Sequence, residues 1–315
     1  MKTFELTVLF LGGARRVSFA QLLKESGEKL GVKINIVSYD LSEEVPVSLE
    51  AKVVKGLKWD DKDIISDLSK VIAEYKVKVI LPIVNGAIEI ASICKELFPE
   101  LFVPVTDFNT ARVLFDKVEA AKAFKDADLP IPRTYSVLSA VMPAIAKPRK
   151  GSRSRGIQIF YDMEDLMHLQ NLQDYIIQEY IEHKKEYTVD AYVDSKGEIL
   201  VSVPRERLEI MGGESTRTIT VRNEFLENLT KTVIEKFNLR GPVNIQFLYD
   251  PENDRYLLSE VNPRLGGAVI CSILAGAPIT DYIIKEALGE PLKKCEDWKS
   301  GTLLARYLKE AVFFK

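Results

Sequence analysis

The stretch LSEVNPRLGG at residues 258–267, taken with NIQF at residues 244–247, decides how the chain is expected to fold. Glu260 and Asn262 stand two residues apart on a predicted strand, so their side chains point to the same face. The intervening DPEND at residues 250–254 predicts a hairpin turn that returns the second strand beside the first. The two stretches are therefore expected to meet as an antiparallel pair.

Gln246 approaches that face from the neighbouring strand, so three oxygen donors converge there with Glu260 and Asn262. Magnesium prefers a hard, partly anionic set of this kind, completed by water and phosphate oxygens. The three residues predict a magnesium site, and a surface cluster of hydrogen-bonding side chains is the alternative interpretation. Arg264, at the exit from the same strand, is placed to face a transferring phosphoryl group.

The stretch KPRKGSRSRG at residues 147–156 holds five cationic side chains, two glycines and two hydroxyl groups. Glycine lets backbone N–H groups approach phosphate oxygens, and Lys and Arg neutralise the phosphate charge. The stretch therefore predicts a loop that wraps a polyphosphate. A solvated basic loop and a nucleic-acid patch are the alternatives, and the second is disfavoured because no aromatic residue is interleaved to stack bases.

The first hundred or so residues alternate apolar runs with amphipathic stretches, which is typical of a βαβ sheet with parallel strands. Strands are predicted at 7–11, 34–39 and 77–84, and helices at 19–30 and 64–75. Gly12-Gly13 follows the first strand, but the complete GxGxxG spacing is missing. A tight turn that needs small residues and a substrate-contacting loop both fit this position.

The pattern changes near residue 109. One helix is predicted at 110–126, and Pro130 and Pro132 cannot continue it. From residue 144 onward, alternation of apolar and polar residues predicts short strands in antiparallel sheets with one solvated face. These strands are expected at 144–147, 175–179, 186–193, 198–203, 243–249, 256–261 and 302–307.

Composition narrows the class of protein. The chain has 315 residues, of which 46% are hydrophobic and 28% charged, as in a globular protein. A formal net charge of -3 gives no global field for nucleic acid, and the three cysteines lack CxxC spacing. No uncharged run approaches the length of a bilayer span, and the first residues show no cleavable signal. We expect a cytoplasmic protein that binds neither nucleic acid nor a membrane.

Together and in this order, these stretches resemble the nucleotide-binding core of the ATP-grasp superfamily, most closely the branch of the carbamoyl-phosphate-synthetase large subunit, as a short single-module ligase. The resemblance spans roughly residues 81–287. It implies an α/β and α+β fold in which a pre-ATP-grasp, Rossmann-like parallel sheet precedes a two-lobed ATP-grasp fold. The implied domains are residues 1–108, residues 109–290 with a lid at about 133–182, and a C-terminal strand and tail at 291–315.

The resemblance also implies a role for individual residues. The implied nucleotide contacts are Lys117, Lys147, Ser152, Ser154, Gly156, Glu179, Ile181 and Glu186. The two lysines would hold the phosphates from opposite sides, the glycine-rich loop would close over them, the residues at 179 and 181 would receive adenine, and Glu186 would take the ribose hydroxyls.

The implied metal ligands are Gln246, Glu260 and Asn262, and the implied catalytic residues are Arg264 and Lys147. Many ATP-grasp enzymes carry a carboxylate at the position of Gln246, so whether one or two metals bind is left open. Arg205 and Arg207 lie where relatives build the acceptor side of the site, and a salt-bridged strand face would contain the same residues.

The chemistry implied by the resemblance is ATP-dependent joining of a carboxylate to an amine or a thiol through an acyl phosphate. Its cofactors would be ATP and Mg²⁺, with Mn²⁺ as an alternative metal, and relatives often form homodimers. A regulatory module that holds ATP without turnover and carbamoyl phosphate synthesis are the alternative functions.

Overall fold

A computed structural model describes residues 4–151 and 155–314. The chain begins with a four-stranded parallel sheet in the order β3-β2-β1-β4. Its elements are β1 (Phe4–Leu11), α1 (Val17–Lys29), β2 (Val32–Asp40), β3 (Lys52–Lys55), α2 (Ile64–Tyr75), β4 (Val79–Pro82) and α3 (Gly86–Leu97). The predicted parallel sheet is confirmed, and β3 and α3 are additions that the sequence patterns did not predict.

Both faces of this sheet are buried, as expected of parallel strands with helices on each side. Leu9 and Leu11 of β1 lie in one core cluster, whereas Val8 and Phe10 lie in another. The second cluster also contains Ile283, from far along the chain. The first sheet and the C-terminal half of the protein therefore share a core.

The turn after β1 requires its glycines. Gly12 has φ +84°, and a Cβ atom there would lie 2.7 Å from Val84. A Cβ atom at Gly13 would collide with the Ser38 hydroxyl. The tight-turn interpretation accounts for both positions.

The single helix predicted at 110–126 was wrong, because the segment forms two helices, α4 (Phe108–Phe115) and α5 (Lys117–Asp126). Asp116 between them has extended backbone, and its carboxylate accepts from the backbone N–H groups of Val118 and Glu119. Arg149 also donates to this carboxylate, with Nη2 at 2.9 Å. Asp116 thus caps α5 and ties it to the next sheet.

Asp116→Ala is expected to lower the free energy of unfolding by about 1–2 kcal/mol, since the α5 cap and a partly exposed ion pair are both lost. Urea denaturation measures the change. Asp126→Ala is the matched control, because that exposed side chain lies at the other end of α5. Equal stability of the two variants would contradict the capping role.

A second, smaller sheet is antiparallel and has the order β5-β8-β6-β7. Its elements are β5 (Thr134–Tyr135), β6 (Ala144–Pro148), β7 (Gln158–Phe160), α6 (Met163–Met167) and β8 (Tyr175–Glu179). The basic stretch follows β6, and Ser152 and Ser154 lie outside the described residues. The strands of this sheet lie within residues 133–182, the region predicted as a lid.

The third sheet is antiparallel and has the order β13-β12-β9-β10-β11-β14. Its elements are β9 (Lys185–Val193), β10 (Ile199–Met211), β11 (Glu214–Thr220), α7 (Glu224–Lys236), β12 (Gly241–Asp250), β13 (Arg255–Asn262), α8 (Val269–Leu274), α9 (Ile279–Ala287) and β14 (Leu303–Ala305). The mixed fold class predicted from sequence is confirmed, whereas the domain boundaries at residues 108 and 290 stay predictions. Within the described residues, no helix is long and apolar enough to cross a membrane.

Candidate functional site

A cavity of about 700 Å³ is lined by residues of the second and third sheets and by Ile83, Val84 and Asn85, which follow β4 of the first sheet. Among its lining residues are these predicted site residues: Lys117, Lys147, Glu179, Ile181, Glu186, Gln246, Glu260, Asn262 and Arg264. Gly156 is described but does not line the cavity, and the two loop serines lie outside the described residues. One cleft therefore brings together the side chains on which the sequence-based hypothesis depends.

The oxygen donors of the cleft are positioned by the pairing of β12 with β13. Gln246 pairs with Glu260, and Asn244 pairs with Asn262, in antiparallel register. Glu260 is half-buried, and neither its carboxylate nor the Gln246 amide makes a hydrogen bond or ion pair with another described residue. A carboxylate without a partner on a cavity wall is suited to a cation, so these residues fit a magnesium ion.

The predicted magnesium ligands carry little negative charge. No group of three or more His, Cys, Asp or Glu side chains that could hold a metal occurs in the described part of the chain. The predicted set has one carboxylate, Glu260, and two amides. Such a set fits magnesium only when substrate oxygens and water complete the coordination.

Lys117 reaches the cleft from the first turn of α5. Its Nζ donates to the carbonyl of Gly151 at 3.2 Å, and its backbone N–H donates to the carbonyl of Arg149 at 2.9 Å. The helix break at Asp116 produces both contacts, because it places the start of α5 against the segment after β6. Lys117 therefore lies at the base of the glycine-rich loop.

Lys147 lies on β6, across the cleft from β13. Its Nζ donates to Oε1 of Gln178 at 3.1 Å, a residue of the adjacent strand β8 that is 7% exposed. Burial lowers the pKa of Lys147 to about 8, with Lys117 lowering it further and Glu260 opposing the shift. Desolvation leaves this lysine short of a counter-charge, which an anionic ligand would supply.

The affinity for MgATP is expected to fall as pH rises through the Lys147 pKa of about 8. Below that pH the ammonium attracts phosphate. Above that pH the neutral amine does not attract phosphate, and nucleotide binding must take up a proton. The affinity for MgATP therefore falls by up to about tenfold per pH unit. Calorimetric titration over a pH series measures it, and Lys147→Arg, which stays charged, should give a flatter profile. Identical profiles would rule out Lys147 as the titrating group.

The segment between the second and third sheets holds the predicted adenine contacts. The Glu179 carboxylate accepts from the backbone N–H of Arg133 at 2.9 Å and from Arg255 at 3.0 Å. Ile181 is 7% exposed and lines the cavity, and its backbone N–H has no hydrogen-bond acceptor among the described residues. Glu179 therefore holds the segment between the two sheets in place through its side chain. The backbone N–H of Ile181 is left to donate to a ligand.

Glu186 is already paired. Its Oε2 accepts from Nη1 of Arg207 at 2.8 Å, and Arg207 also donates to the Gly213 carbonyl. Arg205 is 1% exposed and forms a buried ion pair with Asp190 at 2.8 Å. Both arginines line the cavity, Arg205 from within a buried ion pair of the sheet and Arg207 from beside Glu186.

Arg264 is half-buried, and desolvation lowers its pKa while Glu260 opposes that shift. Its Nε donates to Oδ1 of Asn85, whose Nδ2 donates to Oδ1 of Asn262 at 2.8 Å. Asn85 precedes α3 in the first domain and was not predicted as a site residue. Its signal in the sequence was weak, since an Asn before a helix usually indicates a cap.

The C-terminal segment is hydrogen-bonded to one wall of the cleft. Arg306, directly after β14, donates to Glu214 at 2.8 Å and to the Gly267 carbonyl. Arg16 of the first domain donates to the same carbonyl at 3.2 Å. The sequence patterns predicted neither arginine, because their partners lie far away along the chain.

This architecture is the ATP-grasp fold, and the superfamily resemblance found in the sequence is confirmed. A family model described as ATP-grasp in the biosynthetic pathway with Ter operon matches residues 171–310. A model of the tubulin-tyrosine ligase family matches residues 76–183. The biotin carboxylase domain of 2-oxoglutarate carboxylase from Hydrogenobacter thermophilus superposes with a TM-score of 0.76 at 17% identity, covering 94% of this chain and 73% of that chain.

A second solved structure, N5-carboxyaminoimidazole synthetase from Staphylococcus aureus with ADP, has a TM-score of 0.74 at 20% identity over 93% of this chain and 80% of that chain. In sequence the chain is similar to the carbamoyl phosphate synthase large chain of Bifidobacterium animalis subsp. lactis. The identity is 25% over 264 residues, covering 73% of this chain and 23% of the relative.

The C-terminal section of the same protein from Methanopyrus kandleri is 26% identical over 219 residues, covering 64% of this chain and 38% of the relative. The chain therefore spans less than half the length of these curated relatives. The resemblance to the carbamoyl-phosphate-synthetase branch that was stated from the motifs is confirmed.

Proposed function

We propose that the chain is an ATP-dependent ligase that activates a carboxylate by phosphoryl transfer and joins it to an amine or a thiol. The observation that carries this proposal is the single cleft in which Lys147 faces Glu260 across the gap between two sheets. Cations on one side and oxygen donors on the other suit a magnesium-bound triphosphate.

The nucleotide would lie along the cleft from the segment around Ile181 to β13. Ile181 offers its free backbone N–H to adenine, and Glu186 keeps one carboxylate oxygen beyond its contact with Arg207 for the ribose hydroxyls. Lys117 and Lys147 would hold the phosphates. The Hydrogenobacter structure contains MgADP, ADP and bicarbonate, which supports ATP and magnesium as the cofactors of this fold.

In the proposed reaction a carboxylate oxygen attacks the γ-phosphorus of ATP, the bond to the β–γ bridging oxygen breaks, and ADP leaves. The amine or thiol then attacks the acyl carbon and releases phosphate. Lys147 and Arg264 stabilise the charge that moves during these steps. Magnesium held by Glu260, Asn262 and Gln246 would supply positive charge to the phosphate oxygens.

Water is the competing nucleophile, because an acyl phosphate hydrolyses. Gly151 accepts a hydrogen bond from Lys117, and the glycine-rich stretch that begins there is proposed to keep water from the phosphates when nucleotide binds. The chain needs no side-chain nucleophile for this chemistry. Positioning and charge stabilisation are the protein's contributions.

A screen for ADP release tests the proposal. The purified chain is incubated with MgATP and pairs of amino acids, small carboxylates and amines, with bicarbonate and ammonia as one pair. We expect at least one pair to raise ADP release above the rate without substrates, and Glu260→Gln should need more magnesium than the wild type to give the same increase. Tight MgATP binding with no ADP release from any pair would favour the regulatory module instead.

The assembly state is a separate proposal. The Hydrogenobacter domain is described as a dimer, and a homodimer of this chain stays a prediction. Sedimentation of the purified protein measures it directly.

A further inference from the structure

Asn85 occupies the N-cap position of α3 but does not cap that helix. Its backbone is helical, with φ -57° and ψ -43°, and its side chain makes no capping hydrogen bond. A capping residue normally has extended backbone, which turns its side chain toward the first N–H groups of the helix. Helix capping therefore does not account for an asparagine here.

The Asn85 amide instead connects two predicted site residues. Its Nδ2 donates to Asn262 Oδ1 at 2.8 Å, and its Oδ1 accepts from Arg264 Nε. Arg264 also donates from Nη1 to the Leu265 carbonyl at 2.7 Å. Two of the three guanidinium nitrogens are thus fixed, and Nη2 makes only a long contact of 3.5 Å with Asn262. Nη2 is the nitrogen left for a ligand.

The hydrogen bond between Arg264 and Asn85 fixes the orientation of both asparagine amides. A guanidinium only donates, so the atom of Asn85 that faces Arg264 is the oxygen, and its NH₂ group must face an acceptor. Asn262 consequently presents its oxygen to Asn85. That oxygen also accepts the long 3.5 Å contact from Nη2 of Arg264, which is the weaker of its two hydrogen bonds, so a cation would take the place of that contact. The Asn262 Nδ2 is buried and has no hydrogen-bond partner among the described residues, so it is available to a ligand oxygen.

We propose that Asn85 is a positioning residue that aligns Arg264 and the metal ligand Asn262 from the first domain. This inference rests on the proposed function, because it concerns the same MgATP site. Asparagine is required because one side chain must accept from a guanidinium and donate to an amide oxygen. An aspartate would accept only, and an alanine would do neither.

The test compares nucleotide affinity with and without magnesium. Asn85→Leu keeps the side-chain volume and removes both hydrogen bonds. We expect it to weaken MgATP binding by roughly tenfold or more, as loss of an outer-shell partner of a metal ligand does. ATP binding in the presence of EDTA should be unchanged. Isothermal titration calorimetry measures both affinities and needs no turnover.

Asn109→Leu is the matched control, because Asn109 is exposed on α4 and removed from this network. Asn85→Ala, which also removes both hydrogen bonds, serves if the leucine variant does not fold. Where a turnover assay exists, Asn85→Leu should lower kcat more than it raises the KM for ATP, because Arg264 acts on the reacting phosphoryl group in the proposed reaction.

A folded Asn85→Leu variant with wild-type MgATP affinity would overturn this inference and leave the proposed function intact. Equal weakening of ATP binding with and without magnesium would also overturn it, because the defect would then be general. A wild-type protein that binds no MgATP would overturn both proposals.

Discussion

Lys147→Ala is expected to weaken MgATP binding by about 100-fold or more and to abolish any ADP release. The Lys147 ammonium is desolvated on β6, and Gln178 holds it in place. Truncating one member of a buried charge pair costs roughly 2–5 kcal/mol, which corresponds to a loss of this size. Competitive displacement of a fluorescent ATP analogue measures the affinity.

The control for this substitution is Lys122→Ala, which removes an exposed lysine from α5. It should bind MgATP as the wild type does. Thermal unfolding of both variants shows that the fold is intact. Wild-type affinity and rate in Lys147→Ala would remove Lys147 from the phosphate site.

Glu260→Gln should raise the magnesium concentration needed for half-maximal turnover by about 10- to 100-fold, because the only carboxylate of the donor set loses its charge. The substitution keeps the shape of the side chain, so the fold should be unchanged. Glu260 also raises the pKa of Lys147. Its neutralisation should therefore lower that pKa and move the alkaline loss of ATP affinity to lower pH.

Glu252→Gln is the matched control, because Glu252 is exposed at the hairpin tip between the same two strands. Magnesium activation curves for both variants give the comparison. An unchanged magnesium requirement in Glu260→Gln would show that this carboxylate is not a ligand.

The hairpin that carries the donor set was predictable because its signals are local. Residues 250–254 specify a turn, and a period of two along the second strand places Glu260 and Asn262 on one face. Continued from that turn, the register would oppose Gln246 to Ser259, but an irregularity between Gln246 and Phe247 shifts the pairing so that Gln246 opposes Glu260. The turn and the shared face of Glu260 and Asn262 were therefore predictable from the sequence, whereas this shift in register was not.

The break at Asp116 was missed although its signal is equally local. An Asp three residues before a Glu is a common start of a helix, and Asp116 and Glu119 have that spacing. The apolar periodicity runs across the break and masks it. This error mattered, because the break places Lys117 beside Gly151.

The contacts between the first domain and the cleft were not predictable from local patterns. Asn85 meets Asn262 and Arg264 at separations of 177 and 179 residues. Such contacts depend on how the first sheet packs on the C-terminal half, which no turn or periodicity encodes. The pairing of Glu186 with Arg207 was missed for a different reason, because it depends on the register of β9 against β10 within the third sheet.

One wall of the cleft is joined by hydrogen bonds to the segment after β1 and to the C-terminal segment. Arg16 and Arg306 both donate to the Gly267 carbonyl, and Glu214 pairs with Arg306. These residues come from four distant segments, so this wall, like the rest of the cleft, is assembled only in the folded protein.

The central claim is that magnesium and the triphosphate lie between Lys147 and the strand that carries Glu260. Crystals grown with a non-hydrolysable ATP analogue and Mn²⁺ test it most directly, because manganese gives an anomalous diffraction signal. We predict a manganese peak within about 2.5 Å of a Glu260 carboxylate oxygen, with a phosphate oxygen within hydrogen-bonding distance of Lys147 Nζ. A nucleotide bound elsewhere, or a manganese peak without Glu260 among its ligands, would contradict the claim.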